Sequence, residues 1–451
     1  MVAALASCYS MAPKYERPAS PVAAQIAGGQ GDGKAADVTV EQFVREPKLR
    51  QILAQVVAQN RSLRRAVLDI ESARQLYRIQ RAGVFPQVGL TAGVVSGTEF
   101  IGIPGEETIK FTEYSASIGL ASWELDLFGK IKSQSDAKLH QYFSALESAR
   151  AQRTSLIAET AAAYVAIAAD RSRLAIARDT MATSKKAMDL TEALVGGGTS
   201  NRGDFWQAST VFEQARGDVA ALTATIVQDR NALELLAGGK LDDALLPEAL
   251  PDALDWFAEV PVGMSSNVLL ERPDVVAAEH DLMAANANIG DARAQFFPSI
   301  TLTASGGLAS LTLGKLFTAP TALWTIAPSL NLPLFRGGAL RANLAYTETQ
   351  KLSFVAAYER AIQSAFREVA DALATRATIE EQLAAQAALV DAASKGLELA
   401  QARYKAGVDT FLATLVSERA LYAAKNSLVA TQLAALDNRV TLYRVLGGGV
   451  K

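Results

Sequence analysis

The chain reads as an α+β protein made of two copies of one unit. Short strand pairs punctuate helices of unusual length, and the strands close into a barrel only if several chains assemble. Three observations carry this reading. The first is an internal repeat. Arg81-Ala-Gly-Val-Phe-Pro86, leading into Gln87-Val-Gly-Leu-Thr-Ala92, returns as Arg293-Ala-Gln-Phe-Phe-Pro298, leading into Ser299-Ile-Thr-Leu-Thr-Ala304. Trp123-Glu-Leu-Asp-Leu-Phe128 returns as Leu330-Asn-Leu-Pro-Leu-Phe335, and Leu235-Leu-Ala-Gly-Gly239 as Arg444-Val-Leu-Gly-Gly448. Self-similarity of this kind constrains a fold more tightly than any single motif. The second observation is that residues 130–195, 339–395 and 408–446 contain neither glycine nor proline. The third is a set of segments whose apolar residues alternate with period two.

The repeat divides the 451 residues into an N-terminal segment (1–40), a first repeat (41–237), a linker (238–270), a second repeat (271–446) and a short tail (447–451). Each repeat is expected to run helix, strand, strand, then two long helices. As one helix, residues 130–195 would be about 100 Å long at 1.5 Å per residue. Apolar residues fall seven apart at Ile167, Leu174, Met181, Met188 and Val195, and again at Leu383, Val390, Leu397 and Tyr404. Leu415, Tyr422, Val429, Leu436 and Tyr443 do the same. A repeat of about 3.5 residues per turn keeps a narrow seam facing a partner, which predicts coiled-coil packing.

Two glycine-bearing turns join these helices, Val195-Gly-Gly-Gly-Thr-Ser-Asn-Arg-Gly-Asp204 and Tyr404-Lys-Ala-Gly-Val-Asp-Thr-Phe411. Glycine supplies the left-handed backbone that ends a helix, and Asp or Thr caps the next. Both are therefore hairpin tips. The Arg202-Gly-Asp204 triplet is a polar turn rather than an adhesion motif.

The strands follow from alternation. Val88, Leu90, Ala92 and Val94 form one apolar row, and Ala116, Ile118 and Leu120 another. Ile300, Leu302 and Ala304 give a third; Trp324, Ile326, Leu330, Leu332 and Leu334 give a fourth, with Pro328 inside the run. Period two with one apolar face predicts half-buried strands. Pro328 and Pro333 lack a ladder donor, so they are expected at strand ends or an interruption. Spans of about ten residues suit a tilted membrane strand, and Trp123, Trp324 and Phe335 suit an aromatic belt at its ends. Four strands cannot close a membrane barrel, because the smallest have about eight; three chains would supply twelve.

Composition excludes several classes. Lys and Arg number 44 against 47 Asp and Glu, a net charge of −3, so no basic footprint for nucleic acid is present. No run of about eighteen apolar residues marks a membrane helix, which leaves a closed barrel as the route through a bilayer. The single cysteine, Cys8, excludes a disulfide within the chain. Leu5-Ala-Ser-Cys8 has the form of a lipoprotein cleavage site, with an incidental cysteine as the plainer alternative. His140 and His280 have no second ligand at a fixed spacing, no P-loop or nucleophile motif accompanies them, and the glycine clusters at 196–198 and 447–449 sit at helix ends. An enzyme, a catalytic site, a metal site and a cofactor are therefore not expected.

Taken together, these residues resemble the TolC-like outer-membrane efflux proteins, in the lipoprotein branch often called the NodT type. Cys8 followed by Pro13-Lys-Tyr-Glu-Arg-Pro18 resembles the start of a mature efflux lipoprotein. Leu270-Glu-Arg-Pro-Asp274, Ala277-Ala-Glu279, Ile289-Gly290 and Phe297-Pro-Ser299 resemble the family's most recognisable stretch. Trp123–Gly129 and Leu332–Gly338 resemble its strand-to-helix junctions, and Arg403-Tyr-Lys-Ala-Gly407 its last hairpin.

The resemblance implies a homotrimer: a twelve-stranded outer-membrane barrel, four strands per chain, continued by a long periplasmic α-helical coiled-coil barrel. It implies docking to a periplasmic adaptor and an inner-membrane pump of the RND type, a covalent lipid on Cys8, and passive export of drugs or other small substrates. It places the periplasmic gate and adaptor-docking end at the hairpin tips, with Gly198, Asp204, Tyr404, Gly407 and Asp409. One departure stands out. Relatives carry an acidic residue where this chain has Val416, so an acidic entrance ring would rest on Asp409, whose alternative role is to cap the last helix. Two other functions remain open: the exit of a type I protein-secretion system, and a periplasmic coiled-coil scaffold without a barrel.

Overall fold

The computed structural model describes residues 10–26, 38–101, 107–198, 201–261, 265–318 and 321–448. Cys8 lies outside the described residues. In chain order the elements are α1 (Val40–Phe43), α2 (Pro47–Gln59), α3 (Arg61–Ala82), β1 (Val88–Ile101), β2 (Glu107–Leu125), α4 (Lys130–Gly196) and α5 (Arg202–Ala237). They continue as α6 (Pro273–Ala294), β3 (Ser299–Ser310), β4 (Thr321–Asn331), α7 (Ala339–Lys405) and α8 (Phe411–Val445). The order α3-β1-β2-α4-α5 thus returns as α6-β3-β4-α7-α8. Helices α4 and α7 are each 67 residues long. Gly396 does not break α7, as a single glycine costs a helix only about 1 kcal/mol relative to alanine.

The residues form two compact units, each drawing on both repeats. One comprises residues up to Ala19 with Asp69–Leu146 and Ala277–Glu359; the other comprises Ser20–Leu68, Glu147–Val276 and Arg360–Lys451.

The first unit holds an antiparallel sheet in the order β1-β2-β3-β4. Its register sorts the side chains onto two faces. Leu90 stands opposite Ile118, Ile118 opposite Gly306, and Gly306 opposite Trp324. Val88, Leu120, Ala304 and Ile326 align in the same way, so one face is an apolar band across all four strands. The other face carries Thr91, Ser117, Ser305, Gly307 and Thr325 and is mostly small and polar, with Leu323 opposite Gly307 and Val95 and Phe111 farther along. A bulge between Leu120 and Trp123, with Ser122 at φ 49°, adds one residue to β2. A one-residue slip exchanges the faces of a strand. Beyond the bulge, Trp123 and Leu125 oppose Leu302 and Ile300 on the apolar face, and Glu124 joins Thr301 on the polar one.

Between β2 and β3 the polar face is also the crowded one, whereas Gly89 and Gly93 on the same face of β1 are open. A Cβ on Gly307 would lie 2.5 Å from the Ala116 carbonyl oxygen and 2.6 Å from Ser117 Cβ. On Gly119 it would lie 2.8 Å from both the Ala304 oxygen and Ser305 Cβ. Gly306, on the apolar face, has nothing within 4 Å of such a Cβ. Strands β2 and β3 therefore approach each other most closely on the polar side.

Pro328 departs from expectation: it lies inside β4, opposite Leu302. Proline costs a strand one ladder bond, on the side its nitrogen faces, and within the chain β4 is paired on one side alone. Pro333 falls beyond the strand, as expected.

In the same unit an N-terminal strap lies against α4 and α6. Ser10 Oγ is 3.2 Å from Ser133 Oγ, and Asn286 Nδ2 donates to the Pro13 carbonyl at 2.7 Å. Arg17 grips the buried Glu279 carboxylate with two bonds of 2.7 and 2.8 Å, and the Tyr15 hydroxyl donates to it at 3.1 Å. Gly290 lets the strap approach, since a Cβ there would lie 2.5 Å from Ser133 Oγ and 2.7 Å from the Ala12 nitrogen.

The second unit has its own core. Phe43 stacks between Phe257 and Tyr443, with ring centroids 5.2 and 4.0 Å away. Ile167, Leu415, Val429, Leu436 and Tyr443 of the seven-residue stripes are buried there. Leu383, Val390 and Leu397 of α7 are only half-buried within one chain. Arg272, just before α6, is 6% exposed. It holds Asp274 with bonds of 3.0 and 2.7 Å, Glu368 of α7 at 3.2 Å and the Val445 carbonyl at the end of α8 at 2.8 Å.

Candidate functional site

The four long helices meet at the two turns, in the second unit. Ala208 and Val211 of α5 pack on Phe411 and Leu415 of α8, with Ala187 and Met188 of α4 and Tyr404 of α7 against them. The Tyr404 and Phe411 rings are 5.2 Å apart. Tyr404 thus ties the last hairpin to its neighbour.

Gly198 (φ 72°) and Gly407 (φ 70°) both have left-handed backbone. A Cβ at either would meet nothing within 4 Å, so glycine is required there by conformation and not by space. The Gly407 N–H donates to Tyr404 O at 2.9 Å and the Val408 N–H to Arg403 O at 3.0 Å, which closes α7. In the other turn Asn201 caps α5, its Oδ1 accepting from the Asp204 N–H at 3.0 Å. Asp204 sits in the first turn of α5, where a carboxylate faces the positive end of the helix.

Asp409 is one residue outside α8, whose N-cap is Thr410. Its Oδ1 accepts from the Thr410 N–H at 2.9 Å, and its Oδ2 from Arg403 Nε at 3.1 Å. These two bonds, the amide first, hold its carboxyl below the usual range. Val416, at the place expected to be acidic, is 57% exposed. Because Arg403 already faces the Asp409 carboxylate, Asp409→Asn is expected to leave cation selectivity in planar bilayers nearly unchanged. A clear fall in selectivity would show that the charge acts on the pore.

Above the tip, α8 carries a polar ladder. The Tyr422 hydroxyl donates to Asp218 of α5 at 2.6 Å, and Arg419 bonds Thr210 of α5. Thr183 of α4 donates to Glu418 at 3.2 Å, and Lys425 stands 4.0 Å from Asp179. Burial, then Asp218, pushes the Tyr422 phenol up to about 12. Burial likewise raises the Glu418 carboxyl, an effect that its bond from Thr183 eases. Each rung joins the second hairpin to the first across more than 200 residues of chain. Sequence reading placed Tyr422 in an apolar stripe and missed its partner. The available signal was the recurrence of Glu418, Arg419, Tyr422 and Lys425 every three or four residues along one helix.

His140 of α4 and His280 of α6, unconnected in the sequence, are brought together in the first unit, their Nδ1 atoms 3.3 Å apart. Among the described residues no helix is long and apolar enough to cross a membrane.

Comparison with known proteins gives one consistent picture. The family described as outer membrane efflux protein matches residues 52–239 and 264–448. The solvent efflux pump outer membrane protein SrpC of Pseudomonas putida is 41% identical, over 98% of this chain and 95% of that protein. Outer membrane protein OprJ of Pseudomonas aeruginosa is 39% identical, over 99% of this chain and 94% of that protein. Among solved structures, the open state of the Neisseria gonorrhoeae MtrE outer membrane channel superposes with a TM-score of 0.86 at 36% identity. That match covers 98% of this chain and 99% of MtrE. A membrane protein from Pseudomonas aeruginosa gives 0.91 at 38% identity, covering 98% of both chains.

Proposed function

The chain belongs to the outer membrane efflux protein family, and from that premise we propose how it works as the exit duct of a tripartite efflux system. Three copies close a twelve-stranded barrel in the outer membrane, and their long helices continue it as a tunnel through the periplasm. The observation that carries this reading is the sheet. Its apolar face exposes Leu90, Ile118, Trp324 and Ile326 by 59 to 79%, and its two edges are unpaired within one chain. Open edges are not tolerated in lipid, and closure across chains removes them. The small polar face then lines the bore.

A periplasmic adaptor and an inner-membrane RND-type pump deliver drugs or organic solvents to the hairpin tips. The pump supplies the energy, and the chain is a conduit with no chemical step of its own. Gly198, Asp204, Tyr404, Gly407 and Asp409 form the entrance and the adaptor-docking end. The ladder on α8 is the latch that holds the entrance closed, because the second hairpin must leave the first for the bore to widen.

Reconstitution tests this. The protein should form pores in planar bilayers, and their absence would overturn the duct. Tyr422→Phe removes one rung. A hydrogen bond to a charged group contributes about 1.5–3 kcal/mol, and the lower end suits a part-buried pair. That is roughly a tenfold shift toward the open state, read as longer or larger openings. Unchanged openings would leave the ladder without a gating role.

Lipidation of Cys8 is part of the same proposal. Ser10 lies against Ser133, three residues into α4 and close to the foot of β2, so the strap leads toward the membrane end of the first unit. Mass spectrometry of protein from its native membrane should find diacylglycerol and acyl chains on Cys8. An unmodified thiol would refute it.

A further inference from the structure

We propose that His140 and His280 form a binding site for a divalent transition-metal cation. His140 projects from α4 and His280 from α6, both half-buried. Their ring centroids are 5.5 Å apart, and Phe143 flanks both, at 6.2 and 5.3 Å. Apolar cover on one side leaves the two Nδ1 atoms aimed at each other across 3.3 Å.

Two arrangements satisfy that contact. One ring carries a hydrogen that the other accepts, or both nitrogens bind one cation. Two imidazole nitrogens each about 2.0–2.1 Å from a tetrahedral zinc ion are about 3.3–3.4 Å apart. The observed separation therefore matches the bite of such a metal with little movement of either ring. Neutral imidazole suits zinc, copper and nickel, while magnesium and calcium take oxygen donors. Asp136, one helical turn before His140, and Asp281, beside His280, add negative charge nearby. Lys132 already holds Asp136 at 2.9 Å, and Ser144 bonds Asp281. Among the described residues no group of three or more possible ligands occurs, so water completes the coordination.

The test uses the full chain purified in detergent without a histidine tag. Titration with Zn2+ in a calorimeter should show saturable binding, and Mg2+ should show none. His140→Gln and His280→Gln should each lose the Zn2+ signal while keeping the wild-type oligomer on a sizing column. In the unmodified protein, Zn2+ should also shield both rings from carbethoxylation, a measurement that needs no variant. No Zn2+ uptake by the wild type, full uptake by either variant, or rings equally reactive with and without Zn2+ would overturn the proposal.

Discussion

Gly307→Val is expected to abolish the assembled barrel, whereas Gly306→Val, one residue away, is expected to leave it intact. The two glycines lie on opposite faces of β3. At Gly307 the added carbon meets the Ala116 carbonyl oxygen at 2.5 Å and Ser117 Cβ at 2.6 Å, so β2 and β3 must part. Overpacking typically costs about 1–3 kcal/mol, and an obstacle made of backbone cannot step aside as a side chain can. The effect should reach or exceed the upper end of that range. At Gly306 nothing stands within 4 Å, and the new side chain joins the apolar band beside Ile118 and Trp324. The heat-stable oligomer, followed by gel mobility, should vanish in the first variant and persist in the second. Equal loss in both would mean that the close approach of β2 and β3 at Gly307 does not decide assembly.

Arg272→Ala is the second large effect. The guanidinium joins the start of α6, the middle of α7 and the end of α8 through Asp274, Glu368 and the Val445 carbonyl. Removing one member of a buried ion pair typically costs about 3–5 kcal/mol. Asp274 keeps access to water, with 45% of its side chain exposed, so about 3 kcal/mol is expected. Arg272→Lys should recover only part of this, because an ammonium cannot make the two-point bond to Asp274 while also reaching Val445. The melting temperature of the oligomer in detergent reads both variants. An unshifted melt in Arg272→Ala would show that the cluster is dispensable.

How much of this was legible in the sequence follows from the range of each interaction. Gly198, Gly407 and the uninterrupted run to Val195 predict helix ends because those signals act over a few residues. The alternation at Val88–Val94 predicts a strand for the same reason. The bulge at Ser122 was not foreseen, since it serves the partner strand: only the register against Ile300 and Leu302 shows that Glu124 would otherwise face outward. Pro328 was misplaced because proline's missing donor matters only on the side its nitrogen faces, and the sequence does not show which neighbour lies there. The Asp218–Tyr422 and His140–His280 contacts join residues 204 and 140 positions apart, and no local pattern encodes which distant side chain arrives. The trimer was legible by a different route, as a shortage of strands.

The N-terminal strap has a consequence for the order of events during biogenesis. Residues 10–17 are synthesised and exported early, yet Glu279, Asn286 and Gly290, on which they settle, follow some 260 to 280 residues later. The pairing of β2 with β3 waits as well, across 175 to 196 residues, from Leu125↔Ile300 to Tyr114↔Ser310. Contacts of such separation form slowly, because the intervening chain must be closed before they reward it. The first repeat therefore reaches the periplasm with its apolar strands uncovered and nothing of its own to complete them. Commitment to the native state is deferred until the second repeat arrives, and a stalled or truncated chain is left with aggregation-prone strand edges.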